Sequence, residues 1–144
     1  MSRIVNKKAS FEYIFLKEYT AGIELTGSEV KSLRSNNCSI SEGYCFIWNN
    51  EIFLKNAFIS KYTEATYSNH QERRDRKLLL HKKEIRDIFK LTRDNGITIV
   101  PVEIFLNKGR YKVKIAVAKG KKLFDKRETL KKQDTQREIE RFYK

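Results

Sequence analysis

Apolar positions along the chain follow two periods. In some segments they alternate with polar residues, as one half-buried face of a β-strand requires. In others they recur every three or four residues, as a helix face requires. FEYIFLKEY (Phe11 to Tyr19) is rich in aromatic and β-branched residues and predicts a strand. Ala21-Gly22 permits a turn, and Ile23 to Thr26 resumes as a second strand. Thr26 with Glu29 has capping-box spacing, and Val30 and Leu33 follow at helical spacing, so a short helix is expected from about Gly27 to Ser35. Asn36-Asn37 ends it. Gly43 to Trp48 and Glu51 to Ile59 form a hairpin around Asn49-Asn50, since asparagine tolerates the positive φ of a tight turn.

From Ser60 to Arg76 the chain is polar and reads as irregular. After Leu80 the spacing turns helical, with Ile85, Ile88 and Phe89 on one face and Asn95-Gly96 as a stop. Ile97 to Leu106, the turn Asn107-Lys108-Gly109, and Arg110 to Lys119 make a second hairpin. Tyr111, Val113, Ile115 and Val117 point one way, and Lys112 and Lys114 the other. About six mostly antiparallel strands with two or three helices suit a small β-barrel, and the expected fold is mainly β: an oligonucleotide-binding (OB-like) antiparallel barrel over residues 1–120. A flatter α+β sheet is the alternative. Residues 121–144 read differently. Leu123, Phe124, Leu130 and Ile139 are too sparse to form an apolar stripe, so this basic tail cannot gain enough by packing on its own barrel.

Composition sharpens this picture. Hydrophobic residues make up 40% of the 144, enough for one core, while 31 Lys and Arg against 18 Asp and Glu leave a formal charge of +13. A field of that sign and size favours a polyanion, and nucleic acid is the commonest large one. The excess is clustered. Glu72 to Arg86 carries Arg73, Arg74, Arg76, Lys77, Lys82, Lys83 and Arg86 around three leucines, which would hold cations on a rigid element for gripping phosphates. Phe11, Tyr13, Tyr44, Trp48 and Tyr67 are candidate stacking faces, although core packing is the commoner use of any one of them.

Catalysis finds no support in the pattern. There is no nucleophile elbow, P-loop or Gly-rich dinucleotide turn. His70 and His81 are candidates for an acid–base pair, but they bracket a basic loop with no marked partner. They read as RNA-facing or helix-capping residues. Cys38, Cys45, His70 and His81 lack the paired spacings of a structural zinc site, and two cysteines in a chain of this kind are expected to stay reduced. No metal or cofactor is expected. Neither a signal-type apolar run nor a membrane-length apolar stretch is present, and a cytoplasmic location is expected.

Three motifs then resemble one family. AGIELTGSEVKSLR (Ala21 to Arg34), RKLLLHKKEI (Arg76 to Ile85) and KVKIAVAKGKKLFDKRE (Lys112 to Glu128) are similar, in order and register, to the SsrA-binding proteins, also called small protein B. The resemblance implies an OB-like barrel without a catalytic site that binds the tRNA-like domain of transfer-messenger RNA. It implies delivery of that RNA, with elongation factor Tu as an indirect partner, to bacterial ribosomes stalled on truncated messages. It also implies a tail that is unstructured when free and helical in the vacant mRNA channel of the small subunit, against its rRNA. RNA contacts carried over by the resemblance are Asn6, Lys7, Lys8, Gly22, Arg76, Lys77, Leu79, His81, Lys112, Lys119, Gly120, Lys121 and Lys122, and Arg73 and Arg74 join them from the basic loop. Asp125-Lys126-Arg127 matches the family's tail motif, and Lys131, Lys132 and Arg137 continue the tail's basic character. Thr20, Glu72 and Ser10-Phe11 depart from the family's usual residues. An RNA-processing enzyme and a ribosome-bound structural protein remain the alternatives from other classes, and a monomer is expected.

Overall fold

The computed structural model describes residues 3–62, 70–94 and 96–121. In chain order the elements are β1 (Arg3–Val5), α1 (Lys7–Glu12), β2 (Tyr13–Ile23), α2 (Gly27–Arg34), β3 (Cys38–Ser39) and β4 (Tyr44–Trp48). There follow β5 (Glu51–Lys55), β6 (Phe58–Ile59), β7 (Arg76–Leu79), α3 (Lys82–Leu91), β8 (Ile97–Asn107) and β9 (Arg110–Gly120). Strands β8, β4, β5, β7, β2 and β9 pair in that order, and β9 pairs back onto β8, so six strands close a ring. Every pairing is antiparallel. β1 adds to the outer side of β8, and β3 with β6 makes a separate two-stranded piece. The mainly β, OB-like barrel read from the sequence is the fold, with three helices.

The ring encloses the core. Ile52, Leu54, Leu78, Ile104, Val113 and Ile115 are fully buried, and Leu33 of α2 and Ile88 of α3 join them from the helices. Alternation on β9 is as expected, with Tyr111, Val113, Ile115 and Val117 inward. Ala116 and Ala118, on the other face, pack with Ala9 and Val100 beneath α1. Both hairpin turns are as read. Asn49 and Asn50 take φ of 52° and 61°, and Lys108 and Gly109 take 52° and 80°. Thr26 and Glu29 complete the capping box that starts α2.

Four expectations are corrected. The second strand of the first hairpin ends at Lys55 and not at Ile59, because Asn56 takes φ of 64° and Phe58–Ile59 pair with β3 instead. The strand expected from Phe11 begins at Tyr13, because Asn6 caps a helix first. Its Oδ1 accepts from Ala9 N–H at 3.1 Å, and its Nδ2 donates to the Pro101 carbonyl at 2.8 Å. No turn occurs at Ala21-Gly22. β2 runs unbroken to Ile23, because β9 and β7 flank it at Gly22 and take up its backbone groups there. Arg76, read as the end of an irregular stretch, opens strand β7.

Candidate nucleic-acid interface

The basic run Arg73 to Arg86 is split by the fold. Arg76 is fully buried, and so is Glu29 of α2. Arg76 Nε donates to Glu29 Oε2 at 2.6 Å, and Arg76 Nη1 donates to the Ala57 carbonyl at 2.9 Å. Arg74 Nε reaches the same carboxylate at 3.0 Å. Burial alone would raise the Glu29 carboxyl pKa. The hydrogen bonds from Arg74 and the Thr26 N–H, with the Arg76 charge, outweigh it and hold the group below its ordinary value. Arg73 donates to the Asn56 carbonyl at 3.3 Å and lies over the Phe58 ring. These arginines therefore tie the 70–76 segment to α2 and β6. The sequence showed Glu29 as a helix cap and gave no sign that it is also the anion of a buried cluster.

Past Arg76 the run turns outward. Leu79 on β7 pairs with Gly22 on β2, and Gly22 pairs in turn with Lys112 on β9. Leu79, Gly22 and Lys112 therefore form one row across three adjacent strands. Leu79 is half exposed. A Cβ on Gly22 would sit 3.2 Å from Leu79 Cβ, a tight contact, so glycine eases the close approach of the two strands there and does not serve a turn. Lys77 flanks the row and pairs with Glu51 at 3.1 Å, both groups partly exposed. His81 follows it as the exposed N-cap of α3, with its backbone N–H on Glu84 Oε1 at 3.1 Å.

A second group lies at the other end of β9. Lys119 and Gly120 pair with Ile14 and Tyr13 at the start of β2, and Lys121 Nζ donates to the Ser10 carbonyl at 3.0 Å. Lys7 and Lys8 are exposed on α1, where Lys8 meets Glu42 at 3.0 Å. Asn6 is buried and braces α1. Seven residues of strand separate Lys112 from Lys119, about 23 Å at ~3.3 Å per residue. The site residues read from the sequence thus form two patches joined by β9. Phe11 (77% exposed) stands at the second patch, and Trp48 (69% exposed) stands on the β4–β5 hairpin. Lys122, Asp125, Lys126, Arg127, Lys131, Lys132, Arg137 and Tyr67 lie outside the described residues.

The candidate catalytic histidines sit in different settings, His70 buried and His81 exposed. His70 is buried, with Nε2 donating to the Ile59 carbonyl at 2.8 Å and Nδ1 sharing a hydrogen bond with Ser28 Oγ at 2.8 Å. It is not RNA-facing. Cys38 and Cys45 are unpaired thiols, and burial pushes Cys38 up to about 11 and Cys45 higher still, away from the reactive thiolate. Among the described residues no group of three or more His, Cys, Asp or Glu could hold a metal ion, and no helix is long and apolar enough to cross a membrane.

A closed, basic, antiparallel barrel with exposed rings and exposed lysines is a protein of the nucleic-acid-binding class. The model of the SmpB protein family matches residues 3–144, and the chain belongs to that family. It is 49% identical over 142 residues to the SsrA-binding protein of Phocaeicola vulgatus, covering 98% of this chain and 95% of that one. The Acholeplasma laidlawii SsrA-binding protein is 50% identical over 133 residues, covering 92% and 89%. A solved structure described as "tmRNA-SmpB: a journey to the center of the bacterial ribosome" is 38% identical. It superposes with a TM-score of 0.71 over 84% of this chain and 85% of that one.

Proposed function

We propose that this chain binds the tRNA-like domain of transfer-messenger RNA and acts with it in trans-translation on stalled bacterial ribosomes. The observation that carries the reading is the family match, which spans residues 3–144 and so takes in both the barrel and the tail. The barrel gives it a physical basis. Leu79, Gly22 and Lys112 offer a flat apolar step beside a cation, which suits a base face next to a phosphate. Lys7, Lys8, Lys119 and Lys121 extend the positive surface along the same strand toward the tail. Arg73, Arg74 and Arg76 serve the interface from behind, by fixing where β7 starts. The tail, with ten basic residues against five acidic ones from Lys119 to Lys144, folds where rRNA phosphates offset its charge, in the empty mRNA channel. The protein works as a cytoplasmic monomer without chemistry of its own, and elongation factor Tu reaches it through the RNA.

Copurification tests this directly. One abundant structured RNA at near-equal stoichiometry is expected, and its sequence should encode a peptide tag. A chain ending at Gly120 keeps every strand of the barrel. It should still bind that RNA at low salt yet fail to support tagging. Normal tagging by the truncated chain, or recovery only of whole ribosomal subunits at high salt, would overturn the reading.

A further inference from the structure

A groove of about 530 Å³ runs between α3 and the β4–β5 hairpin. Ile47, Ile85 and Phe89 give it an apolar lining, and Lys82, Arg86 and Lys90 stand along it at successive helical turns. Their spacing is about 6 Å per step. None of the three has an ion-pair partner among the described residues. Phe89 is 49% exposed, with the Arg93 guanidinium 5.3 Å above its ring. A second cavity of about 260 Å³, next to the single bridge that joins β4 to β8, also has Phe89 in its wall. The ring therefore stands between two open spaces. Expected core use does not account for this. Ile88 is the residue of α3 that is fully buried, while Phe89 is left outside.

We propose that this groove is a second RNA-contact surface, in which an unpaired base seats against Phe89 while its flanking phosphates lie along Lys82, Arg86 and Lys90. The occupant is the same RNA that meets Leu79, so the proposal rests on the functional reading above. Continuity argues for one RNA. Leu79 is three residues from Lys82, within about 10 Å by chain length, and the row on β7 leads directly into the N-cap of α3. Charge and shape argue for RNA over an acidic protein segment. A regular ladder of cations matches a repeating anion, and a half-exposed ring between cavities matches a flat base better than a branched side chain.

The test uses the full chain and the isolated tRNA-like domain of the RNA, with affinity by fluorescence anisotropy and base accessibility by chemical probing. Phe89→Ala should weaken binding roughly 5- to 150-fold, the range for losing one stacked base. It should also expose one unpaired base that the wild-type protein shields. Phe89→Tyr restores a stacking face and should recover most of the affinity and the protection. Arg86→Ala with Lys90→Ala should flatten the salt dependence by about 1.4 to 1.8 in log–log slope. Circular dichroism melts verify that each variant is folded. If Phe89→Ala binds and protects like wild type while Leu79→Asp loses the RNA, the groove belongs to another partner, such as an acidic protein segment. The proposal then fails and the functional reading stands. If the wild-type chain does not bind the RNA, both fail.

Discussion

Arg76 and Lys77 are neighbours in sequence and opposites in use. Arg76 is fully buried against Glu29, and Lys77 projects from the other face of β7 into a partly exposed pair with Glu51. A single residue step, half a strand period, separates a cation that organises the core from a cation that offers charge to solvent. A basic cluster in sequence is therefore not one physical object. The part up to Arg76 anchors the loop, and the part from Lys77 onward is available to a polyanion. A buried pair is costly to break, whereas an exposed pair contributes little.

Breaking the buried side should produce the largest effect. Glu29→Gln removes the only carboxylate that touches Arg76 and Arg74 among the described residues. Arg76 is then left charged and buried, at a cost of about 3–5 kcal/mol. Urea unfolding should show the midpoint falling with the slope unchanged. RNA affinity at a temperature where the variant is still folded should drop less than stability does, because the exposed cations remain. A variant as stable as wild type would mean that the cluster is not holding the 70–76 segment.

Acid should reach the same contact without a mutation. The Glu29 carboxyl is depressed in the folded chain, so its contribution is fully present above the ordinary carboxylate pKa of about 4.3. That contribution is lost as pH falls through the lower folded value. Arg76 stays charged throughout, so protonating Glu29 strands it. Stability of the wild type should fall below about pH 4.3 more steeply than that of Glu29→Gln, measured by thermal melts across pH. Parallel curves would remove Glu29 as the titrating group.

The row across β7, β2 and β9 should break next. Gly22→Val forces a branched side chain into the 3.2 Å approach to Leu79, and overpacking of this kind costs about 1–3 kcal/mol. Adding Leu79→Ala removes the Leu79 Cδ1 and Cγ atoms, 3.4 and 3.7 Å from that position, but keeps the 3.2 Å Cβ contact, so it should recover only a small part of the stability. It should not recover RNA affinity, since the apolar step is then gone. Recovery of both would show that the row matters only for packing.

Much of the fold was legible because its signals are local. The alternation on β9, the Asn-Asn turn and the Thr26–Glu29 box each need only neighbouring residues, and each came out as read. The misreadings all involve distant partners. Gly22 looks like a turn residue until two strands flank it, and Phe11 looks like part of a strand until Asn6 caps a helix using carbonyls from β8. Arg76 looks like a surface cation until Glu29, 47 positions away, is folded onto it. For the interface, the sequence marked a cluster of basic residues but could not say which cations face outward. The α3 groove depends on a hairpin and a helix that are far apart in the chain, and spacing alone gives no hint of it.

The smallest effect should come from Lys77→Ala, and it is the sharpest counterpart to Glu29→Gln. Lys77 and Glu51 keep 37% and 41% of their side-chain surface, so solvent screens the pair and its loss should shift stability by no more than about 0.5 kcal/mol. The same side chain stands beside the Leu79–Gly22–Lys112 row. If it meets a phosphate there, the variant should lose about one unit of slope in a plot of log affinity against log salt, with binding weakened a few-fold at low salt. Glu51→Ala frees Lys77 from its partner and should leave that slope intact while nudging affinity upward. A stability loss comparable to that of Glu29→Gln would erase the distinction between the two faces of β7. An unchanged salt slope would move the RNA path away from Lys77 and leave Lys112 as the cation of the row.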